Sequence, residues 1–227
     1  GLGDVYKRQE DFMKKDLAVI FDLDGTLLNT DLLIHKTFDH VFEKYKPGYI
    51  LSEEEHLSFL GPTLKDTFAR YFPESMSDEL IEYYRDYNHA HHEDFVTIYP
   101  TVKETLETLK NKGYPLAVVT TKYSKAAYLG LDLFDLTQYF DVVLGMDNVN
   151  RVKPDPEGIL KAMNQTNCKK ALYVGDNTSD ILAGKNAGVH TAGVKWTPKG
   201  TSEMEKLNPD LMIDEMKDII HFIERMD

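Results

Sequence analysis

The chain has 227 residues, 42% of them hydrophobic, and a formal net charge of −12. That size and apolar content suit one large domain or a domain with an insertion. The acidic balance argues against nucleic acid or an anionic membrane as partner, because both select basic surface; it leaves open a phosphate substrate held by local positive charge and a metal.

The single cysteine, Cys168, excludes an internal disulfide and is assigned no role. With no secretory segment and no apolar run near about 18 residues, the chain reads as soluble and cytoplasmic. Residues 1–13 read as a non-native or disordered leader. Gly1–Gln9 has neither strand nor helix period, resembles a translated sequencing adapter, and precedes a candidate start at Met13.

The run Leu17-Ala-Val-Ile-Phe-Asp-Leu-Asp-Gly-Thr-Leu27 predicts a short apolar strand ending in two carboxylates, Asp22 and Asp24. Strand alternation puts residues two apart on one side, so both acids can face one pocket. Gly25 permits the sharp bend that follows. Crowded carboxylates need a positive group between them, and Mg²⁺, a hard cation with oxygen ligands, is the simplest. The first acid can serve as a nucleophile on phosphorus and the second as a proton shuttle. Two solvated acids at a surface strand end are the ordinary alternative; the preceding strand favours the catalytic one.

After Thr26 the period becomes helical. Ile34, Phe38, Val41 and Tyr45 predict a helix capped by Thr30 or Asp31 and broken at Pro47-Gly48. A short helix follows from about Ser52, then a turn at Gly61-Pro62. A third helix carries Leu64, Phe68 and Tyr71, and a longer one Leu80, Tyr84, Tyr87, His91 and Phe95. His89, His91 and His92 have no acid or cysteine at zinc-ligand spacing and are expected on polar surface near a substrate entrance, with His89 and His92 on one helix face.

Thr101-x-x-Glu104 predicts a capping box ahead of Val102, Leu106 and Leu109, with Gly113 at the helix end. Pro115–Thr120 reads as a buried strand, a helix begins near Ser124, and Phe140–Leu144 is the next strand. Asp155-Pro156 predicts an N-cap and first helical position just after Lys153. Ala171–Gly175 is a further strand. It leads into Asp176 and Asp180, a helix from about Ser179 to Ala187, and a last strand Val189–Val194. Trp196 and the helix tyrosines are expected to pack.

Apolar strands alternating with helices predict an α/β fold: a doubly wound, mostly parallel sheet, interrupted after its first strand by a small inserted α-helical cap. Residues 14–29 and 97–227 would form the core and 30–96 the cap. Ligands of such sheets bind beyond the carboxyl ends of the strands, where Asp22, Thr120, Lys153 and Asp176 all fall. Singly, Thr120 is an ordinary strand residue, Lys153 an ordinary solvated charge and Asp180 a helix-dipole partner. Together these residues supply nucleophile, proton donor, oxygen clamp and metal site for phosphoryl transfer.

This order of motifs resembles the haloacid dehalogenase superfamily, from about residue 17 to 220. The resemblance implies that Asp22 is the nucleophile and Asp24 the acid and base. It implies Mg²⁺ on the carboxylates of Asp22 and Asp176 and the main-chain carbonyl of Asp24. Thr120 would be the phosphate-binding hydroxyl, Lys153 the motif lysine and Asp180 a supporting acid. An acid at position 24 separates the chain from the dehalogenase branch and points to phosphatases or phosphomutases.

The stretches Phe59–Phe68, Tyr87–Phe95, Val118–Lys122 and Ala192–Trp196 are further similar to the PpaX subfamily of inorganic pyrophosphatases, near the phosphoglycolate phosphatases. That resemblance implies Mg²⁺-dependent hydrolysis of pyrophosphate through an aspartyl-phosphate, and a functional link to HPr kinase/phosphorylase. Gly25, Thr121 and Lys122 on the core, and Thr63 and Lys65 on the cap, are candidate substrate contacts. Phosphoglycolate would instead call for an arginine fork, which Arg70 and Arg85 keep open. A phosphomutase is a further alternative, because the cap decides whether water or a sugar hydroxyl attacks. A non-enzymatic phosphoacceptor domain shares the acids, threonine and lysine, but carries its acceptor on a later strand and has no helical insert of this size.

Overall fold

Leu17–Phe21 (β1) is buried along its whole length, as an apolar run must be when both faces of a sheet are covered. The computed structural model describes residues 14–226, so the leader expected over 1–13 lies outside the described residues. After β1 the chain turns through Asp22–Leu27 and makes a two-residue strand, β2 (Leu28–Asn29).

Five helices follow: α1 (Asp31–Tyr45), α2 (Glu53–Ser58), α3 (Leu64–Ala69), α4 (Ser77–Ala90) and α5 (His92–Phe95). The first four and their flanking turns build an apolar cluster of their own on Phe38, Val41, Phe42, Leu51, Phe59, Phe68, Leu80 and Tyr84, whereas Phe95 of α5 packs against the main core. Ser52 caps α2 in a reciprocal capping box with Glu55. Thr63 caps α3 by accepting from the Asp66 N–H. The chain then returns through β3 (Thr97–Ile98), which pairs antiparallel with β2 and so ties the two ends of the insert together.

The remaining elements alternate: α6 (Val102–Asn111), β4 (Leu116–Val119), α7 (Ser124–Leu133), β5 (Val142–Leu144), α8 (Glu157–Thr166), β6 (Lys170–Gly175), α9 (Thr178–Asn186), β7 (His190–Val194), α10 (Ser202–Glu205), β8 (Leu211–Ile213) and α11 (Asp218–Met226). The main sheet has the order β5-β4-β1-β6-β7-β8, and each of its pairings is parallel. Leu17, Val19 and Phe21 enter one apolar cluster and Ala18 and Ile20 the other. That two-residue alternation puts β1 at the centre of two helix layers.

Several local expectations are corrected. Thr30 stands at the start of α1, but its side chain makes no capping bond; Asn29 Oδ1 accepts from the Asp31 N–H instead. Thr101 adopts left-handed backbone, φ 61°, and forms no capping box with Glu104. Its hydroxyl instead accepts from the Lys217 N–H, a partner that sequence spacing does not reveal.

The single long helix breaks at His91, between α4 and α5. His91 does lie on the aromatic stripe, 4.2 Å from the Tyr87 ring and 6.0 Å from Phe95. The break separates His92 from the face of His89 and turns it inward. His92 is not polar surface: it is 3% exposed and packs beside Gly130. Cys168, though flanked by polar residues in sequence, is buried in the core.

Candidate active site

The carboxyl ends of β1, β4 and β6 lie side by side; the loops after β1 and β6 supply Asp22, Asp24 and Asp176, α9 supplies Asp180, and the loop after β4 supplies Thr120, Thr121 and Lys122. Asp22 is tied to the next strand by its N–H, which donates to the Val174 carbonyl at 2.9 Å. Gly25, with φ +81°, passes so close to Asp176 that a Cβ would lie 2.3 Å from Asp176 Oδ2. Only glycine fits that approach. Trp196 braces the same turn: its Nε1–H donates to the Gly25 carbonyl at 3.0 Å, while its ring packs 5.3 Å from Tyr99.

Lys153 reaches into this cluster from the loop before α8. Its Nζ donates to Asp22 Oδ1 at 2.9 Å and to Asp180 Oδ1 at 2.6 Å, and its side chain is only 6% exposed. Asp180 is saturated. Its Oδ2 accepts the N–H groups of Asp176 and Asn177, and its Oδ1, at 3.2 Å, shares the single Tyr173 hydroxyl proton with the Val119 carbonyl at 3.0 Å. Its helix-start placement therefore serves the β6–α9 turn and orients Lys153. Asp155 Oδ1 accepts the Glu157 N–H at 2.9 Å, but α8 begins one residue later than expected, with Pro156 rather than Asp155 in the N-cap position.

The charges are strongly coupled. Burial pushes the Asp22 carboxyl up to about 6, against the pull of Lys153 and with help from Asp180 and Asp24. Burial, then the charges of Asp22 and Asp180, raise Asp176 well above the usual carboxylate range. Burial works against the Lys153 ammonium too, but Asp180 and Asp22 outweigh it and hold its pKa well above the ordinary lysine value.

One ligand atom from each of Asp22, Asp176 and Asp180 falls within 4.8 Å of the others, all three residues buried. Because the oxygens of Asp180 are already engaged, Asp22 and Asp176 remain to take a cation. Two buried, oxygen-only, mutually repelling carboxylates fit a hard divalent ion.

The other expected residues surround this centre. Thr120 is 6% exposed, and its hydroxyl accepts from the Lys122 N–H at 3.1 Å. Lys122 Nζ pairs with Asp24 Oδ1 at 3.0 Å. Thr121 turns to the insert, donating to the Gly61 carbonyl at 3.3 Å. A cavity of about 280 Å³ lies between core and insert and is lined by Asp22, Asp24, Gly25, Thr120, Thr121, Lys122, Lys153 and Asp176 from below, and by Thr63, Lys65 and Arg85 among others from above. Lys65 pairs with Glu74 at 3.4 Å. Thr63 spends its hydroxyl on Asp66, and the Arg85 guanidinium lies 3.9 Å from the Tyr123 ring centre.

Sequence reasoning missed three neighbours: Tyr173, Asn177 and Lys199. Asn177 is adjacent to a motif acid and so had a signal. Tyr173 sits in an apolar strand and Lys199 in a Thr-Pro-Lys-Gly turn, where neither stands out. Among the described residues no helix is long and apolar enough to cross a membrane.

The fold of the chain is shared with solved structures described as phosphatases. A structure described as a predicted phosphatase from Clostridium acetobutylicum superposes with TM-score 0.81 at 27% identity, covering 92% of this chain and 98% of that one. A predicted phosphoglycolate phosphatase from Haemophilus somnus gives 0.77 at 26%, covering 92% and 99%. The family model for haloacid dehalogenase-like hydrolases matches residues 19–194, and the chain belongs to that family. It is 44% identical over 211 residues to Pyrophosphatase PpaX of Bacillus cereus (strain G9842) and 45% identical to that of Bacillus thuringiensis (strain Al Hakam), in each case across 92% of this chain and 97% of the relative. It is a phosphohydrolase of this superfamily.

Proposed function

We propose that the chain hydrolyses inorganic pyrophosphate to two phosphates through an aspartyl-phosphate on Asp22. The observation that carries this reading is the 44–45% identity, over nearly the whole chain, to enzymes named for that substrate. We assign residues 14–29 and 97–227 to the catalytic core and 30–96 to the cap. We further propose a cytoplasmic location; the link to HPr kinase/phosphorylase follows from the resemblance alone.

A carboxylate oxygen of Asp22 bonds to the nearer phosphorus. The bridging P–O bond breaks, and its electron pair leaves with the departing phosphate, which takes a proton from the Asp24 carboxyl. Asp24, now a carboxylate, removes a proton from water. The water oxygen bonds to phosphorus and the bond to Asp22 breaks, returning its electron pair to the carboxylate. Lys153 stays beside Asp22 and Asp180 throughout and neutralises charge on the phosphoryl oxygens, which the Thr120 hydroxyl also holds.

Mg²⁺ bound by the carboxylates of Asp22 and Asp176 and the Asp24 carbonyl would offset substrate charge and align it. The leaving phosphate competes with Asp24 for Lys122, and Lys65 and Thr63 face it from the cap. Opening the Lys122–Asp24 pair frees Asp24 for proton transfer.

Arg85 in the cavity wall favours a second reading, phosphoglycolate, whose planar carboxylate suits a guanidinium. Steady-state rates with both substrates at matched Mg²⁺ and pH separate them. We expect kcat/KM for pyrophosphate to be at least about tenfold higher, a difference of ~1.4 kcal/mol in transition-state binding. The reverse ratio would assign the chain to phosphoglycolate.

A further inference from the structure

The Leu60-Gly61-Pro62 turn of the insert lies over the acid cluster, and three core residues from three different loops meet it. Lys199, in the turn after β7, donates from Nζ to the Leu60 carbonyl and, at 2.5 Å, to Asn177 Oδ1. Thr121, after β4, donates to the Gly61 carbonyl at 3.3 Å. Asn177, after β6, lies against Gly61 so closely that a Cβ there would be 2.8 Å from both amide atoms, and Gly61 has φ +111°. The Asn177 amide also donates to Asp176 Oδ1 at 3.0 Å. A continuous polar chain therefore runs from the acid cluster through Asn177 and Lys199 to the backbone of the insert.

An exposed lysine ordinarily keeps its ammonium in water. Lys199 instead directs it at two neutral carbonyl-type oxygens, one on each side of the core–insert boundary. Bonds from a charged donor are about twice as strong as neutral ones. The bond from Thr121 to this turn across the same boundary is longer and neutral.

We propose that Lys199 is a positioning residue that latches the Leu60–Gly61 turn onto Asn177 and so holds the insert closed over the acid cluster. It does not touch the reacting phosphorus. Without it the closed arrangement keeps the Thr121 bond and the Gly61 contact, and its population falls. Apparent affinity for anything bound inside falls by the same factor.

Hydrogen–deuterium exchange of the segment 57–67 in the metal-free protein tests this, and needs no substrate. Its failure is therefore distinguishable from a failure of the pyrophosphatase reading. Lys199→Met should speed exchange of this segment by about tenfold while β1 and β6 stay protected; Lys199→Arg should retain most of the protection. Gly61→Ala, which disturbs the turn from the other side, should speed the same segment. In turnover, Lys199→Met should raise KM for pyrophosphate about tenfold, with kcat and the pH profile little changed. Unchanged exchange in Lys199→Met, or a loss confined to kcat, would overturn the latch.

Discussion

Replacing Lys153 by methionine tests the electrostatics of the site. The ammonium lies 2.9 Å from Asp22 and 2.6 Å from Asp180, with 6% of the side chain exposed. Burial pushes Asp22 up to about 6 although Lys153 pulls it down, and at pH 7 about nine-tenths of it is then ionised. Methionine keeps the bulk of the stem and removes that pull. In the metal-free protein the Asp22 carboxyl should therefore move further up and be less ionised at pH 7.

Losing a fixed positive group aimed at the phosphoryl oxygens costs ~10²–10³ in rate. We therefore expect kcat/KM at pH 7 to fall by about 10²–10³. The stability sign is also defined. A folded-state pKa raised above the ordinary carboxylate value makes ionised Asp22 a cost to the fold. Stability from this group is thus greatest below pH 4 and is lost as pH rises through about 6. In the variant the loss should begin at the same pH and continue to a higher one. Carboxyl ¹³C NMR titration of the metal-free proteins, beside a pH–rate profile, reads both effects. Asp22 titrating at the same pH in both proteins, or a rate loss below tenfold, would refute the reasoning.

Two further outcomes follow from the same geometry. Asp176→Asn weakens a carboxylate of the candidate cation site, so raised Mg²⁺ should partly restore its activity; Asp24→Asn keeps its carbonyl but loses the acid, and Mg²⁺ should not rescue it. Equal rescue in a Mg²⁺ titration would show the roles to be exchanged. Buried His92 has a pKa lowered to about 4, chiefly by desolvation, and neither ring nitrogen has a partner among the described residues. Its contribution is full above the ordinary histidine value near 6.5 and is lost as pH falls toward 4. Thermal melts of His92→Leu should therefore lose less Tm than wild type between pH 7 and 4.5, and parallel curves would contradict this.

The sequence made the centre of the fold legible because its signals are local. β1 is a continuous apolar run, and Asp22 and Asp24 follow at strand spacing. Lys153 and Thr120 were readable only as members of a set. What was misread depends on distant partners. Thr101 has the spacing of a capping box, yet Lys217 claims its hydroxyl. His92 continues a helical period in sequence, yet it turns inward beside Gly130. Lys199 meets Leu60 across 139 positions, a separation at which no periodicity exists. The strands β2, β3 and β8 have two or three residues, too few to show alternation, whereas α11 carries a readable pair in Ile219 and Ile223.

The covalent role of Asp22 is the central claim, and acid quenching during turnover of ³²P-labelled pyrophosphate tests it most directly. Wild type should carry label on the peptide containing Asp22. Asp22→Asn should carry none and lose at least about a thousandfold in kcat with its fold intact. Near-normal turnover by Asp22→Asn, with mass spectrometry showing that the amide has not reverted to the acid, would contradict the account.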